Sequence, residues 1–205
     1  MPVVKKLRYY AELVKFEHTI FALPFALASL VILYESLPSP LKTLWIVVAL
    51  VSARTAGMSL NRLIDLPFDS KNPRTKDWVH VSGRVSKRGI LLLIAISSFL
   101  FVLSTYFINL YAILLSPVVL FLLWLYPYSK RFTYFPHLFL GTVYFLIPLG
   151  VDVALNESIS SVALLLGTAM AFWVAGFDVL YSLQDYEFDR SIGLKSIPTK
   201  FGVVK

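Results

Sequence analysis

A run of twenty residues without a charged side chain, residues 89–108, places the strongest constraint on the fold of this chain. It reads GILLLIAISSFLFVLSTYFI, and an α-helix needs about 20 such residues to cross the hydrocarbon core of a bilayer. Similar stretches occur along the whole chain, of which 58% is hydrophobic and 15% charged. The sequence therefore predicts an all-α, polytopic transmembrane helical bundle.

About six membrane spans are predicted from these stretches. They cover approximately residues 16–35, 42–64, 89–108, 110–127, 137–151 and 159–183. The fifth is short and contains Gly141 and Pro148, which favours a kink or a tilt. No linker interrupts the pattern, so we expect residues 1–205 to form one transmembrane domain, without a cleavable signal peptide. Since the chain has no cysteine, disulfides and thiolate chemistry are excluded.

Basic residues are concentrated in four segments of the chain. All but two of the 19 lysine and arginine residues lie in the N-terminal segment, in the loops after the second and fourth spans, or in the C-terminal segment. The exceptions are Lys42 and Arg54. The positive-inside rule then places the N-terminus and these loops in the cytoplasm, as in a multi-pass protein of the inner (cytoplasmic) membrane. The net charge of +7 is thus a topology signal, and we expect no nucleic-acid partner.

Three oxygen-bearing side chains follow at four-residue spacing near the end of the second span. Asn61, Asp65 and Asp69 in NRLIDLPFD lie on one face of a helix. Two carboxylates at this spacing repel each other and are costly near a membrane, and Mg²⁺ bound with substrate phosphates removes both costs. Pro67 is expected to end or kink the helix near Asp65 and to leave Asp69 on unwound backbone beside a cavity. The alternative is two solvated loop acids.

Arginine side chains accompany this acidic segment. Arg74 follows it in a basic loop, and arginine can bind a phosphate through two parallel hydrogen bonds. Arg54 precedes Asn61 by seven residues, about two turns, on the same face. An arginine inside a membrane span is a candidate functional residue that needs an anionic partner. The alternatives are ordinary positive-inside charge for the loop and an internal ion pair for Arg54.

A second acidic segment occurs near the C-terminus and begins within the last turns of the sixth span. Asp178, Tyr181, Asp185 and Asp189 are spaced by three, four and four residues, which places them on one helical face. A glycine and a proline then end the pattern and predict a cytoplasmic loop. Two acidic segments on one side of the membrane suit a site in which Mg²⁺ ions bridge a diphosphate and neutralise its charge as it departs.

Both segments resemble motifs of the UbiA superfamily of intramembrane prenyltransferases. The family pattern N(D/R)xxDxxxD reads NRLIDLPFD here and is followed by the typical NPRT. The pattern DxxYxxxDxxxD followed by GxxS reads DVLYSLQDYEFDRSIGLKS. YPYSKRFT is similar to the family's YPxxKRxT, and KFEHTIFALPFAL resembles the 4-hydroxybenzoate polyprenyltransferases and their menaquinone-pathway relatives. The resemblance covers essentially the whole chain.

The resemblance implies a UbiA-type bundle, usually of about nine helices. It implies Mg²⁺-dependent transfer of a polyprenyl group from a prenyl diphosphate to an aromatic acid such as 4-hydroxybenzoate, for quinone biosynthesis. The catalytic and metal-binding residues would be Asp65, Asp69, Asp185 and Asp189. The substrate-binding residues would be Asn61, Arg74, Lys130, Arg131, Asp178, Tyr181 and, facing the carboxylate of the acceptor, Arg54.

The chain departs from the family pattern in two respects. Trp78 stands where members commonly have an arginine, which removes an expected phosphate contact. The chain is also expected to lack about three C-terminal helices of the family. A truncated or degenerate non-catalytic homologue, transfer to a dihydroxynaphthoate, and a cation or proton transporter therefore stay as alternatives. Prenyl chain length and oligomeric state are left open by the sequence.

Overall fold

The computed structural model of the protein describes residues 3–15, 19–34 and 38–203. Throughout these segments the regular secondary structure is helical, without a β-strand. The helices in chain order are α1 (Val3–Leu13), α2 (Thr19–Leu33), α3 (Pro40–Asp69), α4 (Lys87–Ile108), α5 (Leu110–Phe132), α6 (Pro136–Asn156), α7 (Ser161–Ser182), the 3₁₀ turn Leu183–Asp185, α8 (Tyr186–Ile192) and α9 (Ile197–Phe201).

Five helical segments are long and apolar enough to cross a membrane, as expected for a multi-pass membrane protein. They are α3, α4, α5, α6 and Ser161–Ile192, which combines α7, the 3₁₀ turn and α8. The fifth predicted span is longer than expected, because α6 continues to Asn156. The first predicted span, 16–35, lies partly outside the described residues, and α2 within it has 15 residues. The prediction of an all-α membrane bundle is confirmed.

Helix starts are fixed by short polar side chains. Ser39, Ser86, Asn109 and Ser160 each accept a hydrogen bond from the backbone N–H three residues ahead, which satisfies a donor that the helix itself leaves free. Asn109 is also the single residue between α4 and α5, and its amide donates to the carbonyl oxygen of Val153 at 2.8 Å. This residue therefore fixes the sharp α4–α5 turn against α6.

The predicted end of the helix near Asp65 and the predicted unwound backbone at Asp69 are wrong. α3 continues through Pro67 to Asp69, so Asp69 lies on helical backbone. Proline removes one intrahelical hydrogen bond, here close to the end of the helix where few bonds depend on it. The next turn is held by backbone bonds from Ser70 to Leu66 at 3.1 Å and from Lys71 to Phe68 at 2.9 Å. These bonds keep Asp69 in register with the rest of α3.

The most extensive helix pairings are α3 with α4 and α6 with α7. Gly141 on α6 lies so close to α7 that a Cβ atom there would be 2.7 Å from the carbonyl oxygen of Ala171. At Gly167 on α7, a Cβ atom would be 2.8 Å from the carbonyl oxygen of Phe145. Small residues allow such backbone contact between membrane helices. α5 packs against both pairs and joins them.

A small apolar core fixes the loop between α3 and α4. Leu13 of α1 and Ile90 of α4 pack with Val79 and Val85 of the loop, and all four are buried. Burying side chains of this size stabilises the packed arrangement by about 1.5–3 kcal/mol each. The loop is thereby held against the end of α3 that carries the acidic residues.

Candidate active site

A cavity of about 570 Å³ runs between the helices of the bundle. One end is lined by five carboxylates, those of Asp65, Asp69, Asp178, Asp185 and Asp189. The remainder is lined mostly by apolar side chains and extends along α3 as far as Ile46. The 19 positions between Ile46 and Asp65 correspond to about 28 Å of helix. The cavity therefore combines an acidic end with a long apolar body.

The side chain of Asp65 is buried at the acidic end, with 5% of its surface exposed. Its Oδ2 accepts a hydrogen bond from Asn61 Nδ2 at 3.0 Å and lies 2.8 Å from Lys130 Nζ. Its Oδ1 has no hydrogen-bond partner among the residues that the structure describes. A buried carboxylate oxygen without a partner is costly unless a cation or a donor meets it. This atom therefore marks a position for a ligand.

Asp69, the last residue of α3, is held by the loop that follows. Its Oδ2 lies 2.9 Å from Nε2 of His80, and its backbone oxygen accepts from Thr75 Oγ1 at 2.7 Å. The His80 side chain is 1% exposed. The sequence analysis did not select His80, because a single histidine in a loop follows no periodic pattern. The one feature of the sequence that could have pointed to His80 is its position eleven residues after Asp69.

The sequence predicted that the second acidic segment lies on one face of a continuous helix. In the structure, a 3₁₀ turn interrupts this helix between α7 and α8. Asp178 and Tyr181 lie on α7, Asp185 ends the 3₁₀ turn, and Asp189 lies on α8. A 3₁₀ turn commonly tightens a helix end, and here it occurs where the loop after α3 binds the Asp185 carboxylate. All four side chains nevertheless line the cavity.

Asp185 is bound by two residues of the loop after α3. Arg74 Nε donates to its Oδ1 at 2.8 Å, and Arg74 Nη2 pairs with its Oδ2. Asn72 Nδ2 also donates to Oδ1 at 2.7 Å, while Asn72 Oδ1 accepts from the backbone N–H of Arg74 at 2.9 Å. The hydrogen bonds to Asp185 raise the pKa of Arg74 above its ordinary value. Asn72 was missed, although an Asn-Pro pair is a recognisable turn signal.

Asp178 is paired with a histidine of the preceding helix, α6. Nδ1 of His137, near the start of α6, lies 2.7 Å from Asp178 Oδ2. The His137 side chain is 2% exposed. The sequence analysis did not select His137, since nothing in the spacing connects it to an acid 41 residues away.

The remaining predicted site residues differ in their placement. Arg54 lines the apolar body, and its Nη1 donates to Tyr144 Oη at 3.1 Å. Tyr181 lines the cavity with the Arg74 guanidinium 5.7 Å from its ring. Arg131 is not among the lining residues, because its Nη2 donates to the backbone oxygen of Ile64 at 2.9 Å. The structure thus brings ten of the eleven predicted residues to one cavity, and Arg131 braces α5 against α3.

Trp78 lines the cavity, and three cationic side chains lie close to its ring. The guanidinium of Arg62 lies 4.2 Å from the centre of its ring, that of Arg74 5.3 Å, and Lys15 Nζ 5.4 Å. Arg62 is 9% exposed, and its Nε donates to the backbone oxygen of Leu13 at 3.4 Å. Cation–π contacts of this kind contribute about 0.5–2 kcal/mol each. The residue that replaces the family arginine therefore gathers positive charge around itself.

The carboxylates do not form a metal centre on their own. Within residues 3–15, 19–34 and 38–203, no three acidic or imidazole side chains lie close enough together to hold one metal ion. Asp189 lines the cavity without a side-chain hydrogen bond or ion pair to another described residue. Mg²⁺ commonly binds one or two carboxylates and completes its shell with phosphate oxygens and water. The arrangement can therefore hold Mg²⁺ together with a phosphorylated ligand.

The chain is similar to curated 4-hydroxybenzoate octaprenyltransferases. A 4-hydroxybenzoate octaprenyltransferase of Francisella tularensis subsp. novicida (strain U112) is 36% identical over 177 residues, which cover 86% of this chain and 62% of that protein. The enzyme of the same name from Blochmanniella pennsylvanica (strain BPEN) is 32% identical over 169 residues, which cover 82% and 58%. The chain thus spans about three fifths of the length of these relatives.

Solved structures share the fold. The apo structure of a UbiA homolog from Aeropyrum pernix K1 has a TM-score of 0.82 and 40% identity, covering 91% of this chain and 70% of that one. A UbiA homolog from Archaeoglobus fulgidus, bound to DMAPP and Mg²⁺, has a TM-score of 0.73 and 20% identity, covering 94% and 69%, and shares the fold. Residues 22–205 match the UbiA prenyltransferase family, so this chain belongs to that family.

Proposed function

We propose that this chain transfers a polyprenyl group from a prenyl diphosphate to an aromatic acid of the 4-hydroxybenzoate type, in quinone biosynthesis. The observation that carries the proposal is the cavity itself, in which acidic groups from α3 and from α7–α8 meet above a long apolar body. A diphosphate suits the acidic and basic end, and a polyprenyl tail suits the apolar body. The names of the relatives support this reaction. The chain matches about three fifths of the length of those proteins.

The residues at the acidic end fit Mg²⁺ as the metal of this reaction. Their donors are carboxylate oxygens, and the buried Oδ1 of Asp65 has no partner among the described residues. We assign metal binding to Asp65, Asp69, Asp185 and Asp189. When bound with the diphosphate, Mg²⁺ would neutralise the charge of the departing group. A relative of the same fold was solved with DMAPP and Mg²⁺.

Arg74 and Lys130 provide the charges that bind the diphosphate. Each now pairs with a carboxylate, Arg74 with Asp185 and Lys130 with Asp65. On substrate binding, both cations exchange these carboxylates for diphosphate oxygens. The carboxylates that they release would then bind Mg²⁺, so that no charge is left unpaired in a site of low dielectric, where an isolated charge costs several kcal/mol. Arg62 and Lys15 add positive charge beside Trp78.

Arg54 and Tyr144 supply the acceptor end of the site. They are hydrogen-bonded to each other at 3.1 Å and line the cavity below the acidic residues. The seven positions from Arg54 to Asn61 correspond to a rise of about 10 Å along α3, so Arg54 lies on the apolar side of the diphosphate end. The two side chains would bind the carboxylate of the acid and point its ring towards the prenyl group.

The reaction then requires orientation and the exclusion of water. The C1–O bond of the prenyl diphosphate breaks, and its electrons leave with the diphosphate. A carbon of the electron-rich ring bonds to C1, and the proton on that ring carbon is lost. The apolar body holds the tail beside the acceptor and keeps water from the allylic cation. We place the acidic end on the cytoplasmic side, because the basic residues lie in the adjoining loops.

Membranes containing the chain test this assignment directly. They are incubated with Mg²⁺, a polyprenyl diphosphate, and either 4-hydroxybenzoate or a dihydroxynaphthoate, and products are detected by mass spectrometry. We expect prenylated 4-hydroxybenzoate from the wild type, none from Asp65→Asn, and an unchanged yield from Asp77→Asn, an exposed acid outside the cavity. A product from the dihydroxynaphthoate alone would change the acceptor. No product from either acid would favour a non-catalytic homologue.

A further inference from the structure

Two buried histidines lie directly behind the acidic residues. They are the two histidines whose surroundings the structure describes, and neither belongs to the motifs of the sequence analysis. His80 comes from the loop after α3, and His137 from the first turn of α6. Their side chains are 1% and 2% exposed. Buried imidazoles need hydrogen-bond partners, and here each partner is a carboxylate that lines the cavity.

His80 is hydrogen-bonded to the first acidic segment through Nε2. Nε2 lies 2.9 Å from Oδ2 of Asp69, and since a carboxylate accepts, the imidazole N–H donates. Trp78 packs beside His80, with 5.9 Å between the ring centres. The loop therefore restricts the imidazole in the direction of Asp69. The carboxylate keeps its Oδ1 for another ligand.

His137 is hydrogen-bonded to the second acidic segment through Nδ1. Nδ1 lies 2.7 Å from Oδ2 of Asp178. Nε2 accepts from the backbone N–H of Ile197 at 3.4 Å, so the ring proton lies on Nδ1. Ile197 begins α9, and the neighbouring Lys195 N–H donates to the backbone oxygen of Lys130 at 2.9 Å. His137 thus connects Asp178 to the segment after α8.

We propose that His80 and His137 are positioning residues, each of which fixes the direction of one cavity carboxylate through one ring nitrogen. The proposal rests on the proposed function, because it concerns how the acids receive Mg²⁺ and the diphosphate. Without its histidine, each carboxylate can rotate away from the cavity or towards a neighbouring cation. Outer groups that orient metal ligands commonly change metal affinity by about 10–100-fold when they are removed.

The use of different ring nitrogens makes the proposal testable by substitution. The amide nitrogen of asparagine lies near the place of histidine Nδ1, and that of glutamine near the place of Nε2. Binding of the metal should therefore be preserved when asparagine takes the place of His137 and when glutamine takes the place of His80. The opposite substitutions, His137→Gln and His80→Asn, should not preserve it. A general requirement for a polar or bulky side chain would not produce this crossed pattern.

The experiment measures binding as well as turnover in detergent-solubilised protein. Binding of Mn²⁺ in the presence of geranyl diphosphate is followed by electron paramagnetic resonance, and folding by thermal unfolding without ligand. We expect His80→Leu to weaken binding by about 10–100-fold, because Asp69 is one of the assigned metal ligands. His137→Leu should also weaken binding, through Asp178, which is assigned to substrate binding. His80→Gln and His137→Asn should stay within about threefold of wild type, while His80→Asn and His137→Gln should resemble the leucine variants.

The controls separate this inference from the proposed function. If the wild type does not bind Mn²⁺ with geranyl diphosphate, or if Asp69→Ala binds as wild type does, the proposed function fails. If the wild type binds, Asp69→Ala does not, and all histidine variants that fold bind normally, the positioning role alone is overturned. Equal losses in all six variants, in proportion to lowered unfolding temperatures, would also overturn it, because they indicate a structural role.

Discussion

Arg74 and Asp185 form a two-point ion pair between the loop after α3 and the end of the α7 segment. Arg74 Nε lies 2.8 Å from Asp185 Oδ1, and Nη2 pairs with Oδ2. The two residues are 111 positions apart in the chain, so this pair joins the two acidic segments directly. A guanidinium can hold a planar carboxylate or phosphate in this way, and an ammonium cannot.

Arg74→Lys should therefore weaken substrate binding while keeping the charge. We expect the KM for the prenyl diphosphate to rise about 10–150-fold, since the loss of one charge-assisted hydrogen bond costs about 1.5–3 kcal/mol. Steady-state kinetics measure this, with Arg88→Lys as the control, because Arg88 is exposed and outside the cavity. An unchanged KM in Arg74→Lys would contradict the phosphate role of Arg74.

Lys130→Met should destabilise the protein more than its partial exposure suggests. It leaves the buried carboxylate of Asp65 without the cation that lies 2.8 Å from it, and breaking a buried pair costs about 3–5 kcal/mol. The double variant Lys130→Met/Asp65→Asn should regain most of this stability, because no buried charge is then unpaired. A double-mutant cycle on thermal or denaturant unfolding gives the coupling. Additive losses would show that the pair is not coupled in solution.

Trp78→Arg should lower the thermal stability of the protein, although the resemblance to the family leads us to expect an arginine at this position. The new guanidinium would enter a group of three cations, those of Arg62, Arg74 and Lys15, and remove the ring on which they rest. We expect lower thermal stability than wild type at low ionic strength, and a smaller difference at high salt, where repulsion is screened. Trp78→Phe, which keeps an aromatic ring, is the matched comparison. A variant as stable as wild type at low salt would rule out this charge cluster.

Gly141→Ala should destabilise the pairing of α6 with α7. The added methyl group would lie 2.7 Å from the carbonyl oxygen of Ala171, and backbone must move to make room for it. Overpacking of this kind costs about 1–3 kcal/mol. Gly176→Ala on α7 is the control, since its Cβ atom would meet nothing within 4 Å. Thermal unfolding in detergent measures both, and equal effects would mean that helix propensity alone is responsible.

The part of the site that depends on helix periodicity could be predicted from the sequence. Asn61, Asp65 and Asp69 share one face because α3 is regular to its last residue, and this holds although the predicted break at Pro67 is wrong. The same spacing rule brought Asp178 and Asp189 to the cavity despite an intervening 3₁₀ turn, because the turn changes the helix path only locally.

The partners of these acids could not be predicted in the same way. Asn72 meets Asp185 across 113 positions and His137 meets Asp178 across 41, and such contacts exist only after the helices have packed. The position of Arg131 shows the same limit. It neighbours Lys130 in sequence, but successive residues on a helix point about 100° apart, so one reaches the cavity and the other a backbone oxygen of α3.

The two close helix pairings have a mechanical consequence for the acidic residues of the candidate site. Asp65 and Asp69 belong to the α3–α4 pair, whereas Asp178 and the residues after it belong to the α6–α7 pair, whose backbones touch at Gly141 and Gly167. Because the helices of each pair pack closely together, a ligand bound by both acidic segments would hold the α3–α4 pair and the α6–α7 pair at one separation. The width of the apolar body between the same helices would then depend on what is bound at the acidic end.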